Sequence, residues 1–232
     1  MPRPDPLGLD ETERVIGSLP VRWGPKEAPV KLYDSAMAPN PRRVRIFLAE
    51  KGFTMPIVVQ VDIAKGENRE PAFLAKNPLG GVPVLELDDG TMIAESVAIC
   101  RYVEEVQPHP VLFGTTPKER ALTEMWQRRM ELELFRYITG CFQNTHPFFK
   151  GRIHQVAEYG EVCRSMAQTR LEWLDNELVA RPFIAGPHYT VADITALTAI
   201  DFGRVSNIRI QPNQKNLQRW YDAVSSRPSA KA

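Results

Sequence analysis

Short stretches that alternate apolar and polar residues come first along this chain, and longer stretches with helical spacing follow. Val30 to Asp34 and Met55 to Val61 read as strands, with Pro41 to Lys51 as the helix between them and a short helix near Pro71 to Ala75. Gly80 and Gly81 loosen the backbone before Pro83, where Val84-Leu85-Glu86-Leu87 has the alternation of a half-buried strand. Asp88-Asp89-Gly90 supplies a turn and Thr91 to Ala94 a returning strand, which predicts a hairpin. Ser96 stands where an N-cap hydroxyl would satisfy an orphan N–H. The helix from Val97 to Val106 turns either Val97, Cys100 and Val103 or Ile99, Val103 and Val106 inward. A helix N-terminus of this kind is also an anion site.

After Val106 the period changes. Gln107-Pro108-His109-Pro110 marks a linker, and Pro117 opens a long helix to about Phe142 with Trp126, Met130, Leu134 and Tyr137 on one stripe. Val156 to Leu178 is a second helix, carrying Val162, Met166, Leu171, Leu174 and Leu178. Thr190-Val191-Ala192-Asp193 has the form of a capping box with Asp in place of Glu, and Tyr189 is placed to staple onto Ile194. Asn216 to Ser226 forms a last helix, ended by Arg227-Pro228. Residues 1–29, rich in proline with few apolar positions, read as a mobile arm or a strap. The expected division is an extension over 1–29, an α/β domain over 30–107, a linker over 108–116 and an all-helical domain over 117–232.

The balance of 29 basic and 28 acidic residues, net +1, argues against a nucleic-acid partner. No run approaches the roughly 20 apolar residues of a membrane span, and the N-terminus lacks the basic start and apolar core of a signal peptide. The expectation is a cytoplasmic protein without a membrane partner. Cys100, Cys141 and Cys163 are odd in number and lack CxxC or Cys/His ligand spacing, so neither a disulfide framework nor a metal site is expected, and the compartment is read as reducing.

Three motifs stand in order: Asn77-Pro78-Leu79-Gly80-Gly81-Val82-Pro83-Val84-Leu85, then Glu95-Ser96-Val97-Ala98-Ile99, then Phe183-Ile184-Ala185-Gly186-Pro187 leading into Thr190-Val191-Ala192-Asp193-Ile194. With the element order they resemble the cytosolic glutathione transferases from Val30 to about Arg227, and among these a bacterial or fungal-type branch lacking the usual Tyr, Ser or Cys beside the sulfur. The resemblance implies a thioredoxin-like N-terminal domain with a C-terminal helical bundle domain, glutathione as co-substrate without a metal, a small electrophilic substrate and a homodimer. Carried over by position, it implies that Val82 pairs its N–H and C=O with the cysteinyl residue of glutathione, with the Val82–Pro83 bond cis. It also implies that Glu95 and Ser96 hold the γ-glutamyl end, where the helix dipole favours a carboxylate. Arg69 is the candidate for the glycyl carboxylate, a solvated loop charge being the alternative. Without the resemblance, Pro83 is the start of an edge strand and Ser96 a plain cap.

Such a reaction needs a thiolate. The family usually sets a hydroxyl or thiol beside the sulfur, and the branch nearest in this segment has Thr-Pro-Asn where this chain has Ala38-Pro39-Asn40, so the hydroxyl is absent and the amide stays. Lowering an alkyl thiol from about 8.5 by about two units takes roughly 2.7 kcal/mol. A helix N-terminus contributes about 0.3 to 2 kcal/mol and a hydrogen bond to a charged group about 1.5 to 3, so one donor plus the helix start suffices. Asn40, before Pro41 at the expected first helical position, is the candidate donor and Ser35 the second; Asn before Pro is equally an ordinary helix start. His146, after the long helix, is a candidate for positioning a water or the sulfur, or else an exposed loop histidine. Met37, Trp126, Tyr137, Phe142, Phe148 and Phe149 are candidates for an electrophile pocket and equally for core. The expected activity is conjugation or exchange of glutathione on small apolar electrophiles, with a non-catalytic scaffold of the same fold, or glutathione-dependent peroxide or disulfide reduction, as alternatives.

Overall fold

The computed structural model describes residues 30–232; the arm or strap expected over 1–29 lies outside the described residues. Strand β1 (Lys31–Asp34), helix α1 (Pro39–Glu50), β2 (Ile57–Gln60), α2 (Pro71–Leu74), β3 (Val84–Glu86), β4 (Met92–Ala94) and α3 (Ser96–Val106) form the first half. The sheet order is β2-β1-β3-β4. β1 runs parallel to β2, which requires the α1 crossover, and antiparallel to β3, whose hairpin partner is β4. This is the thioredoxin-like arrangement.

Alternation along β1 explains its central place. Leu32 joins the large core with Phe47, Leu85 and Ile99, while Tyr33, on the opposite face, joins Val61, Phe73 and Val84 and meets the Phe73 ring edge-on at 6.2 Å. The register of β1 on β3 is pinned by a cross-strand pair: Lys31 faces Glu86 in the ladder and its Nζ donates to Glu86 Oε1 at 2.8 Å, while the Tyr33 hydroxyl donates to Glu86 Oε2 at 2.5 Å. These two donors, Lys31 first, hold the Glu86 carboxyl down at about 2.

Two helix starts differ from expectation. α1 begins at Pro39, not Pro41, with Ala38 as its N-cap and no side-chain capping bond, so Asn40 lies inside the first turn. α3 begins at Ser96 itself, with Glu95 as N-cap. Ser96 therefore does not cap the helix, and its hydroxyl is used elsewhere.

The second half comprises α4 (Pro117–Arg129), a π-helical segment Met130–Phe135, α5 (Arg136–Thr145), α6 (Ala157–Glu177), α7 (Val191–Gly203) and α8 (Lys215–Ser225). The long helix expected from Pro117 thus runs on to Thr145 with a π turn in its middle. Trp126, Met130 and Leu134 are buried as the stripe predicts. On α6 the inward row is Gly160, Cys163, Ala167, Leu171 and Leu174, and Val162, expected inside, is exposed. Val162 lies on the far side of α6 from that row, which itself packs closely on α5: a Cβ on Gly140 would meet Cys163 Sγ at 2.8 Å, and one on Gly160 would meet Thr145 Cγ2 at 2.5 Å. Small residues face the neighbour there because larger ones do not fit. Helix α7 is buried on nearly every side, and Asp193 at its start accepts from the N–H groups of Thr190 (2.9 Å) and Ile184 (2.9 Å) and from Trp220 Nε1 (2.8 Å). One buried apolar cluster runs from Val30 to Ala230 and joins both halves.

A buried ion pair fastens the linker. Lys51 Nζ lies 2.5 Å from Glu104 Oε2, with side chains 0% and 9% exposed, and donates to the carbonyls of Pro108 and Pro110 at 3.2 and 2.5 Å. Glu104 Oε1 accepts the N–H groups of Leu112 and Phe113 at 3.0 and 3.2 Å. Burial lowers the Lys51 ammonium, and Glu104 opposes that.

Lys51→Met, which strands the Glu104 charge, should cost about 3 to 5 kcal/mol in chemical denaturation. Lys51→Met with Glu104→Gln should recover most of that, since the amide oxygen can still accept the linker N–H groups. Glu86 adds a pH dependence: its carboxyl drops from the ordinary 4.5 to about 2 on folding, so its stabilisation is full above 4.5 and lost as pH falls towards 2. Glu86→Gln should flatten the acid limb of a stability-against-pH curve over that window.

Candidate functional site

Strand pairing gathers one end of the sheet. Tyr33 faces Val84 and Val84 faces Ala94, so the chain beyond β1, the approach to β3 and the exit from β4 emerge together. That brings Ser35, Val82–Pro83 and Glu95–Ser96 to one edge, with the start of α1 beside them.

The turn from β1 into α1 is held from beneath. Buried Asp34 accepts from Arg45 Nη1 at 2.6 Å and Gln60 Nε2 at 2.8 Å, Arg45 Nη2 donates to the Ala36 carbonyl at 3.1 Å, and Ala38 N–H closes onto the Ser35 carbonyl at 3.0 Å. Ser35 is buried, and its hydroxyl makes no hydrogen bond among the described residues. A helix start usually offers several unpaired N–H groups. Here Pro39 and Pro41 carry none, and Arg42 N–H already returns to the Ala38 carbonyl at 3.3 Å. Asn40 is left as the donor of this turn. It is exposed, and among the described residues neither its backbone N–H nor its side-chain amide is engaged.

The Val82–Pro83 peptide is cis. The main chain of Val82 makes no hydrogen bond among the described residues, whereas the loop before it is braced: Asn77 Nδ2 donates to the Gly81 carbonyl at 2.9 Å and Asn68 Nδ2 to the Gly80 carbonyl at 2.8 Å. Gly80 has φ +65°, and a Cβ there would strike the Asn68 carbonyl oxygen at 2.8 Å. Arg69 is exposed and donates through Nη1 to the Leu79 carbonyl at 3.2 Å, so it ties this loop as well.

Glu95, exposed, sits at φ +67°, a conformation a non-glycine residue adopts at a cost of order 1 to 3 kcal/mol. Ser96, buried, accepts at Oγ from Arg43 Nη1 at 2.6 Å. Arg43 was not among the residues singled out from sequence. Its guanidinium is 1% exposed, stands 3.5 Å from Glu131 Oε1, and lies 5.2 Å from the Phe135 ring centroid. Burial lowers its pKa below the usual arginine range, with Glu131 opposing. The available signal was a charge on the inward stripe of α1, four residues before the buried Phe47.

On the helical side, His146 follows α5. Its Nδ1 accepts the Phe148 N–H at 3.2 Å and its ring lies 4.6 Å from that of Phe142, so Nε2 is the nitrogen left available. No hydrogen bond or ring contact among the described residues joins His146 to Asn40, Ser35 or Ser96. Phe142 also meets Phe149 at 5.3 Å and Phe202 at 4.9 Å, and Phe202 meets Phe135 at 6.4 Å. This aromatic cluster borders the start of α1, because Asp201 beside Phe202 pairs with Arg42 at 2.8 Å. Arg152 spans the two halves, donating to the carbonyls of Ile63 and Ala64 at 3.2 and 2.8 Å. Phe202 and Phe135 were missed in the sequence because both sit at core-like spacing. Trp126 does not belong here: it is stacked on Trp173 at 5.5 Å between Arg129 and Arg181. Tyr137 is half-buried against the core and Met37 is 89% exposed at the tip of the first turn.

A cavity of about 550 Å³ lies elsewhere, lined by Val111, Leu122, Ala185 and Pro187 with Lys118 and His188. The three cysteines are buried and free, and burial pushes the Cys100 thiol up to about 12. No group of metal-ligating side chains occurs among the described residues, and no helix there is long and apolar enough to cross a membrane.

Comparison with known proteins agrees with this geometry. The family model described as Glutathione S-transferase, N-terminal domain, matches residues 28–105, and that of the C-terminal domain matches 137–228. The chain is 37% identical over 203 residues to the Saccharomyces cerevisiae protein named Glutathione S-transferase 2, covering 86% of this chain and 87% of that one. The crystal structure of Gtt2 from Saccharomyces cerevisiae is similar with a TM-score of 0.83 at 37% identity, covering 87% of this chain and 98% of that one. A glutathione S-transferase domain-containing protein of Marinobacter aquaeolei VT8 gives 0.80 at 40% identity, covering 86% and 98%. The chain belongs to the glutathione S-transferase family of enzymes.

Proposed function

We propose that this enzyme conjugates or exchanges glutathione on small, apolar electrophiles, with the glutathione sulfur held as a thiolate at the start of α1. The observation that carries the reading is the meeting, at one sheet end, of an unpaired Val82 main chain, the Glu95–Ser96 turn and the two free donors of Asn40. In this reading Val82, before the cis Pro83, pairs with the cysteinyl residue, Glu95 and Ser96 take the γ-glutamyl end, and Arg69, while bracing Leu79, faces the glycyl carboxylate. Ser35, buried under the turn, is the second candidate donor to the sulfur, after Asn40.

The chemistry closes without a hydroxyl at Ala38. Asn40 supplies a backbone and an amide N–H to the thiolate, each a hydrogen bond to a charged group worth about 1.5 to 3 kcal/mol, against roughly 2.7 for two pKa units. The helix dipole adds to this. The aromatic cluster of Phe135, Phe142, Phe149 and Phe202 offers an apolar wall for the electrophile, and His146, through Nε2, positions a water near the sulfur. Three buried free cysteines suit a reducing cytoplasm, and the family association points to a homodimer without metal. Loss of the hydroxyl at Ala38 favours a second reading, a non-catalytic scaffold, which the first measurement below decides.

The ultraviolet absorbance of the thiolate, titrated with glutathione bound, should show a pKa near 6.5, about two units below that of an alkyl thiol. A bound thiol that ionises as in water would leave only the scaffold. Asn40→Asp places a carboxylate in the first turn, where the dipole accommodates it, so the melting temperature should hold while the bound thiol pKa rises by about one to two units. An unshifted titration would make Asn40 purely structural. His146→Ala should lower turnover about tenfold or more and change the shape of its profile between about pH 6 and 9; an unaltered profile would remove the imidazole from the mechanism.

A further inference from the structure

Arg43 is a poor choice for stability. Its guanidinium has five N–H donors and no acceptor, and it is 1% exposed. Among the described residues its Nη1 alone is engaged, by Ser96 Oγ at 2.6 Å and more distantly by Glu131 at 3.5 Å, while Nε and Nη2, both buried, have no partner. Glu131 is itself part-exposed and shared with Arg128 at 3.1 Å. A buried cation so thinly compensated weakens a fold relative to an apolar residue of the same shape. Its presence calls for a role at the group it does touch.

That group is Ser96. A serine hydroxyl has one proton and two lone pairs. Because a guanidinium can only donate, Ser96 Oγ must accept from Arg43, and its own proton has to point away. No acceptor for it occurs among the described residues. The result is an oriented O–H donor with a cation behind it, at the first residue of an 11-residue helix and next to the strained Glu95. Such an arrangement suits an anion and gives little to a neutral group.

The π turn keeps Arg43 in place. Met130–Phe135 supplies both Glu131 and the Phe135 ring, which lies 5.2 Å from the guanidinium carbon and also meets Phe202 of the aromatic cluster at 6.4 Å. Helix α1, the N-terminus of α3 and the middle of the long helix thus meet at one buried side chain.

We infer that Arg43 is a positioning residue that turns Ser96 into a donor selective for the α-carboxylate of the γ-glutamyl group. It acts through Ser96, since it is too deeply buried to touch the ligand. The inference rests on the proposed reading in which glutathione binds with that end at Glu95–Ser96.

Calorimetric titration of the full chain with two tripeptides tests it: glutathione, and γ-aminobutyryl-cysteinyl-glycine, in which hydrogen replaces that carboxylate. The unaltered chain should prefer glutathione, and Arg43→Met should shrink the ratio of the two dissociation constants about tenfold or more, the loss expected for one hydrogen bond to a charged group. A merely structural arginine would weaken both tripeptides alike and leave the ratio unchanged. If Arg43→Met does not fold, Arg43→Lys, which keeps the cation and loses the planar fork, should also shrink the ratio. An unchanged ratio in the folded variant, or no preference in the unaltered chain, overturns the inference while leaving glutathione binding intact. An unaltered chain that binds neither tripeptide at millimolar concentration instead overturns the glutathione reading itself, and this inference with it.

Discussion

The pairing of β1 with β3 is the constraint on which the site depends. A slip of one residue would turn Leu32 out of the large core and Tyr33 away from Phe73, and would shift Val82 relative to Ser35 by the same step. Two forces oppose the slip. Apolar burial on both faces of β1 resists it, and so does the ion pair of Lys31 with Glu86, which the Tyr33 hydroxyl reinforces from two residues along the same face. Three segments far apart in sequence, at Ser35, Val82 and Glu95, arrive at one sheet end because that register holds.

Around this end the backbone is short of donors, which concentrates the chemistry. Two prolines remove two of the first-turn N–H groups of α1, and the return of Arg42 to Ala38 engages a third. What is left falls on a single residue, Asn40, which carries a second donor in its side chain. A segment that lacks a hydroxyl at Ala38 thereby still holds two unengaged N–H groups at the helix start, both on Asn40. Arg45, below the turn, holds the loop through Asp34 and Ala36 and keeps the helix start in place.

The two halves are held as one body by different means at different depths. A common apolar core joins them, with α7 buried at its centre. Lys51 and Glu104 fasten the linker by charge and by backbone acceptors. Arg43 reaches from α1 to the π turn, so the helix that borders the aromatic cluster is mechanically continuous with the residue behind Ser96. A substitution on the π turn therefore reaches both the arginine behind Ser96 and the aromatic cluster.

Periodicity in the sequence determined the order of strands and helices and the hairpin of β3 and β4, because alternation and 3.6-residue spacing are local properties of burial. The three motifs identified the family and singled out Val82–Pro83 and Glu95–Ser96, since a cis X-Pro turn and a helix start each leave a signature in consecutive residues. Tertiary structure alone decided what the side chains at the helix starts do. Ser96 has the residue type and place of a cap, yet becomes an acceptor because Arg43, 53 positions earlier, lies against it. Val162 has the character of a core residue, yet faces water because the face of α6 that packs inward is the Gly160, Cys163 and Ala167 row, and Val162 lies on the other side of the helix. The buried guanidinium, the linker clasp and Phe202 stayed illegible for the same reason: each is defined by partners distant in the chain, and no local pattern records which surfaces will meet.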